Sequence, residues 1–145
     1  MSYETWHDYG YGICVSKLKI DSPERVGALI GLTKRFRKDV QGYFDECGIT
    51  EPTMDDYEEL DQDCYNGIAY VLQQVIKEKE HIELSTCDDF DGNRYLMYMP
   101  DYPWFTPWRY WFISERKIEQ IIRKYLQMLT DDDFEIEYIS AENGG

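Results

Sequence analysis

The sequence predicts a two-layer α+β sandwich, a four-stranded antiparallel sheet with helices packed on one face. Three observations predict it. Short stretches alternate apolar and polar residues, which is the period of a half-buried strand. Longer stretches repeat apolar residues every three to four positions, which is the period of an amphipathic helix. In chain order these read strand, helix pair, strand, strand, helix, strand. Finally, 145 residues with 43% apolar and 16% aromatic content suit one domain with a sizeable core, too hydrophobic for disorder despite a net charge of −14.

Residues 1–9 are aromatic without a clear period, and Trp6 and Tyr9 are expected to cover an edge of the core. From Gly10 to Ile20, Ile13, Val15, Leu18 and Ile20 alternate with polar residues and predict the first strand. Gly10 and Gly12 within it mark a bulge or a place where another backbone comes close. Ser22-Pro23-Glu24 opens a helix with an N-cap oxygen, a proline at the first helical position and an acid at the positive end of the dipole. Val26, Leu29, Ile30, Phe36, Val40, Phe44 and Cys47 then share one face as far as Gly48, a natural stop.

Thr53-x-x-Asp56 predicts a capping box for a second helix running to about Lys79, so the two helices form an αα-hairpin. Ile82–Cys87 and Asn93–Met99 alternate as strands around Asp91-Gly92, a strong hairpin turn signal. Ser114 caps a last helix with Ile118, Ile121, Ile122, Tyr125, Leu126 and Leu129 inward. Phe134–Ile139 alternates as the final strand, and residues 140–145 read as a frayed tail. The plan is β-αα-β-β-α-β, a ferredoxin-like variant with its first crossover expanded into two helices.

The charge is concentrated. Asp39 to Ile76 holds ten carboxylates and no Lys or Arg. On the second predicted helix Asp55, Glu59 and Asp63 form an i, i+4, i+8 column flanked by Glu58 and Gln62. Such a column places one charge per ~6 Å of helix rise, against one phosphate per ~3.4 Å along each strand of a duplex. Several neighbouring stripes imitate that field, although like charges one turn apart also destabilise a helix. The basic run Lys34–Lys38, broken only by Phe36, reads as a solvated face that partly offsets nearby acids. Residues 101–113 (DYPWFTPWRYWFI) crowd aromatics around two prolines. Trp104, Trp108 and Arg109 are of the types that dominate protein hot spots.

These features exclude several functions. A chain this acidic repels nucleic acid and anionic membranes, so no direct nucleic-acid or membrane ligand is expected. No apolar run is long enough to span a bilayer and no leader pattern is visible, so a cytoplasmic protein is expected. Cys14, Cys47, Cys64 and Cys87 are widely spaced, which predicts buried reduced thiols rather than zinc ligands or disulfides. Asp88, Asp89, Asp91 and Asn93 miss the EF-hand positions for glycine and glutamate. Two distant histidines and the absence of G-x-S-x-G, P-loop and H-E-x-x-H patterns argue against an enzyme, with no cofactor or metal expected.

In size, acidity and aromatic content the chain resembles small acidic inhibitor proteins of phages and mobile elements. Among these are anti-CRISPR proteins, some of which mimic DNA. It is similar in the same respects to bacterial immunity proteins that neutralise nuclease toxins. The resemblance is one of overall character, without a shared motif, and carries over no residue. It implies an inhibitor that occupies the basic, nucleic-acid-binding surface of a partner. On that reading Asp55, Asp56, Glu58, Glu59, Asp63, Trp104, Trp108 and Arg109 meet the partner. Two alternatives remain open here. One is a self-assembling or housekeeping interaction protein that uses the aromatic segment. The other is a carboxylate-metal enzyme with Asp88, Asp89 and Asp91 as first suspects.

Overall fold

The computed structural model describes residues 5–60, 67–98 and 113–144. In chain order these form β1 (Thr5–Cys14), a 3-10 turn (Val15–Lys17), α1 (Pro23–Ile30), α2 (Arg35–Cys47) and α3 (Met54–Glu58), followed by α4 (Gly67–Glu80), β2 (Ser85–Asp88), β3 (Arg94–Tyr98), α5 (Glu115–Leu126) and β4 (Glu137–Gly144). The strands make one antiparallel sheet in the order β2-β3-β1-β4. The predicted α+β sandwich is therefore the fold. Ile13 and Leu96 lie opposite each other in register and enter one core with Val71, Leu72 and Val75 of α4 and Ile118 and Ile122 of α5. Among the described residues no helix is long and apolar enough to cross a membrane.

The first strand starts and ends earlier than its alternation suggests. It occupies Thr5–Cys14, and Val15–Lys17 turn as a 3-10 helix with Val15 buried. Residues 15–20 keep their apolar partners but leave the ladder, so alternation there reports burial rather than pairing.

The first predicted helix is two. Its apolar positions from Val26 to Phe44 are buried as expected, while Cys47 is exposed. Between α1 and α2 the buried Thr33 hydroxyl donates to Ile30 O at 2.7 Å and accepts from Arg37 N at 3.1 Å. The N-cap residue of α2, Lys34, supplies no side-chain cap. Glu78 of α4 does so instead. Its carboxylate accepts from the backbone N–H groups of Lys34 (2.6 Å), Arg35 (3.3 Å) and Phe36 (2.9 Å). Those donors, Phe36 foremost, hold the Glu78 carboxyl below its ordinary pKa against desolvation. A depressed carboxylate stabilises the fold above its unfolded pKa, and that contribution disappears as pH falls through the folded one. Glu78→Gln is therefore expected to lower the urea midpoint at pH 7, with the gap to wild type closing as the pH is taken below 4. A gap that stays constant with pH would remove the charge from the account.

The second predicted helix also divides. Thr53 and Asp56 form the expected capping box, with Thr53 N donating to Asp56 Oδ2 at 2.8 Å and Asp56 N to Thr53 Oγ1 at 3.4 Å. The helix they start ends at Glu58, and α4 begins at Gly67. Gly67 has φ +29, and a Cβ there would stand 2.6 Å from Glu58 Cα. Only glycine lets the start of α4 press against the end of α3. The remaining helix starts as read but ends at Leu126, before the last residue of its apolar spacing, Leu129. Ser114 Oγ accepts from Lys117 N at 3.2 Å, and Ile118, Ile121, Ile122, Tyr125, Leu126 and Leu129 are all buried. The Tyr125 hydroxyl donates to Glu80 and ties α5 to α4.

The C-terminal residues are not a frayed tail. Ser140–Gly144 pair with Thr5–Tyr9 and make up the larger part of β4. Although β2 and β4 stand at opposite ends of the strand order, they approach each other in space. The sheet is therefore strongly curled. On the face away from the helices, Met97 lies beside Gly10 and Gly12 and is fully buried.

A candidate acidic interaction surface

The surface is built where α2 meets α3. The Phe44 and Tyr57 rings, both buried, pack edge to face with centroids 5.5 Å apart and lock the two helices together. Between Asp39 and Leu60 the chain carries Asp39, Asp45, Glu46, Glu51, Asp55, Asp56, Glu58 and Glu59 and no base. Six of these, Asp39, Asp45, Glu46, Glu51, Asp55 and Glu59, are exposed. None of the six forms an ion pair among the described residues. The Tyr43 phenol of α2 is pushed above its ordinary pKa, chiefly by Cys47, then by desolvation, with Glu59 and Asp56 adding to it.

The predicted residues divide into three groups. Asp55 and Glu59 are exposed and one turn apart, Glu59 N donating to Asp55 O at 3.1 Å. Asp56 is committed to the capping box. Glu58 is committed to Arg94, whose Nη1 lies 3.3 Å from Glu58 Oε2 and whose Nε lies 4.0 Å from Asp88 Oδ1. These two carboxylates hold the fold together and are only half-exposed. Asp63, Trp104, Trp108 and Arg109 lie outside the described residues. The three-turn column is corrected accordingly: α3 stops at Glu58, so a single helix does not carry Asp55, Glu59 and Asp63.

Asp89 of the hairpin is structural too. Asp89 accepts from Asp91 N (2.9 Å), Asn93 N (2.9 Å), Asn93 Nδ2 (3.0 Å) and the Tyr95 hydroxyl (2.8 Å). Desolvation works against its charge, and the donors of Asn93, Tyr95 and Asp91 outweigh it, holding the carboxyl below its ordinary range. Asp89→Ala is expected to destabilise the protein by about 1–3 kcal/mol, since it leaves several donors without their acceptor; urea unfolding reads this directly. Among the described residues no three His, Cys, Asp or Glu side chains are grouped to hold a metal ion. Cys14 and Cys87 are half-buried and Cys47 is exposed, so the expectation of buried thiols does not hold for these three.

One feature of α2 escaped the sequence reading because its boundaries were not legible. Arg35, Arg37 and Lys38 occupy its first turn, and Asp45 and Glu46 its last. A helix favours the opposite arrangement, acids at the start and bases at the end, by about 0.3–1 kcal/mol per charge. Here the charges of both terminal turns stand at the unfavourable end.

The fold and this surface define a small acidic α+β protein with a base-free stretch from Asp39 to Leu60. Comparison with known proteins adds no relative: no family model, curated protein or solved structure matches the chain.

Proposed function

We propose that the protein is an acidic inhibitor that occupies the basic, nucleic-acid-binding surface of a partner protein, a nuclease or CRISPR effector, as a DNA mimic. It acts in the cytoplasm, by binding rather than by catalysis. The observation that carries this reading is the reversed charge of α2. Solubility alone is served by acids anywhere on a surface. Placing them against the helix dipole, without an ion pair among the described residues and beside the exposed Asp55 and Glu59, costs stability, and recognition of a positive surface offsets that cost. The acids steer encounter with the partner and set the register in which it docks.

The test separates stability from binding. The protein is immobilised, loaded with bacterial lysate, and eluted by salt or by competing duplex DNA. A basic nucleic-acid-binding protein is expected to be retained and to be displaced by both. The variant Asp45→Lys/Glu46→Lys is expected to unfold at higher urea, by about 0.3–1 kcal/mol per charge, yet to bind that partner about tenfold more weakly. Retention unchanged by the reversal would reduce the acidic face to a solvated surface.

A further inference from the structure

A second surface lies beside the ends of β1 and β4. β1 runs two residues past its pairing with β4, whose first residue Glu137 sits opposite Gly12. The chain from Asp133 to Ile136 leaves the ladder there, and an open groove of about 490 Å³ separates it from the end of β1 and the 3-10 turn. That volume falls within the ~300–1,000 Å³ of ordinary ligand sites. Leu18, Phe134 and Ile139 give it apolar walls, each half-buried. Asp133, Glu135 and Glu137 line it, all exposed and none in an ion pair among the described residues, against one base, Lys17. Tyr138 also lines it. It is 71% exposed, the highest value of any large apolar side chain among the described residues, and its ring stands 5.2 Å from that of Tyr11.

We propose that this groove docks a lysine- or arginine-bearing segment of a partner polypeptide. Apolar side chains of the segment rest on Phe134 and Tyr138, and its bases lie over Glu135 and Glu137. Charge selects the occupant. Three acids against one base repel nucleic acid and anionic lipid. An exposed tyrosine supplies contact area at little entropic cost, as binding surfaces require. The groove is separate from the α2–α3 surface and does not rest on the function proposed for it.

The probe is a fluorescein-labelled heptapeptide of alternating lysine and leucine, titrated with the full chain and read by anisotropy at 0.15 M and 0.5 M salt. Glu135→Lys/Glu137→Lys is expected to weaken binding at least tenfold at the lower salt. Tyr138→Ala, which leaves the charge unchanged, is expected to weaken it at least threefold at both salts. Asp55→Lys/Glu59→Lys, an equal charge change on the other surface, should stay within twofold of wild type. Equal losses in the two reversal pairs would mean that the peptide senses only the net charge, and the groove would be abandoned. No binding by the wild type, or full binding by Tyr138→Ala, would overturn it as well. All substituted side chains are exposed, and circular dichroism checks the fold of each variant. Should the reversal disturb folding, Glu135→Gln/Glu137→Gln replaces it, with the same order of effects expected.

Discussion

Gly12→Ala is expected to leave little folded protein. A Cβ at this position would stand 2.0 Å from Leu96 O and 2.5 Å from Met97 Cα. Both are backbone atoms of β3, so no side-chain rotation relieves the clash. The strands would have to separate, and Gly12↔Met97 lies at the centre of the β1·β3 pairing. Overpacking of this kind costs about 3 kcal/mol or more, a large share of the ~5–15 kcal/mol that holds a domain together. Urea unfolding measures it. Gly42→Ala is the matched control, because nothing lies within 4 Å of a Cβ added on the exposed side of α2. There the substitution is expected to stabilise by about 0.5–1 kcal/mol through helix propensity alone. If the two variants unfold together, β3 does not approach β1 as described.

Met97→Ala has the next largest expected effect, and it tests the curl of the sheet. Met97 points away from the helices, and on a flat two-layer sandwich that face meets solvent. Truncating a side chain there would change stability by no more than about 0.5 kcal/mol. In this structure Met97 is fully buried beside Gly10 and Gly12, and Ala141 of β4 is buried on the same face. Removing its three heavy atoms leaves a cavity, for which the expected cost is about 2–5 kcal/mol. A urea midpoint close to wild type would show that the back of the sheet is open.

The sandwich was legible in the sequence because its signals are local. All five buried positions of α5 follow from a 3–4 spacing that needs no knowledge of the partner. The caps of α1, α3 and α5 at Ser22, Thr53 and Ser114 each bond a backbone N–H three residues ahead. The Asp91-Gly92 hairpin closes within five residues, with Asp89 accepting from Asn93. The acidic surface was legible in part, as a composition. Which of its acids are exposed was not, because Glu58 finds its partner 36 residues away on β3.

The sequence by itself determined the number and kind of most elements, their buried faces and the concentration of charge between 39 and 60. Tertiary structure decided the rest. It divided the first helix, because Glu78 reaches back 42–44 residues to cap α2. It turned a polar, glycine-ended tail into strand, because Ser140–Gly144 had Thr5–Tyr9 to pair with. It also sorted the carboxylates into those that hold the fold and those left to face solvent. The physical reason is the same in each case. Periodicity and capping are settled between residues a few positions apart, whereas a ladder, a distant cap or an ion pair exists only once the chain has brought both partners together.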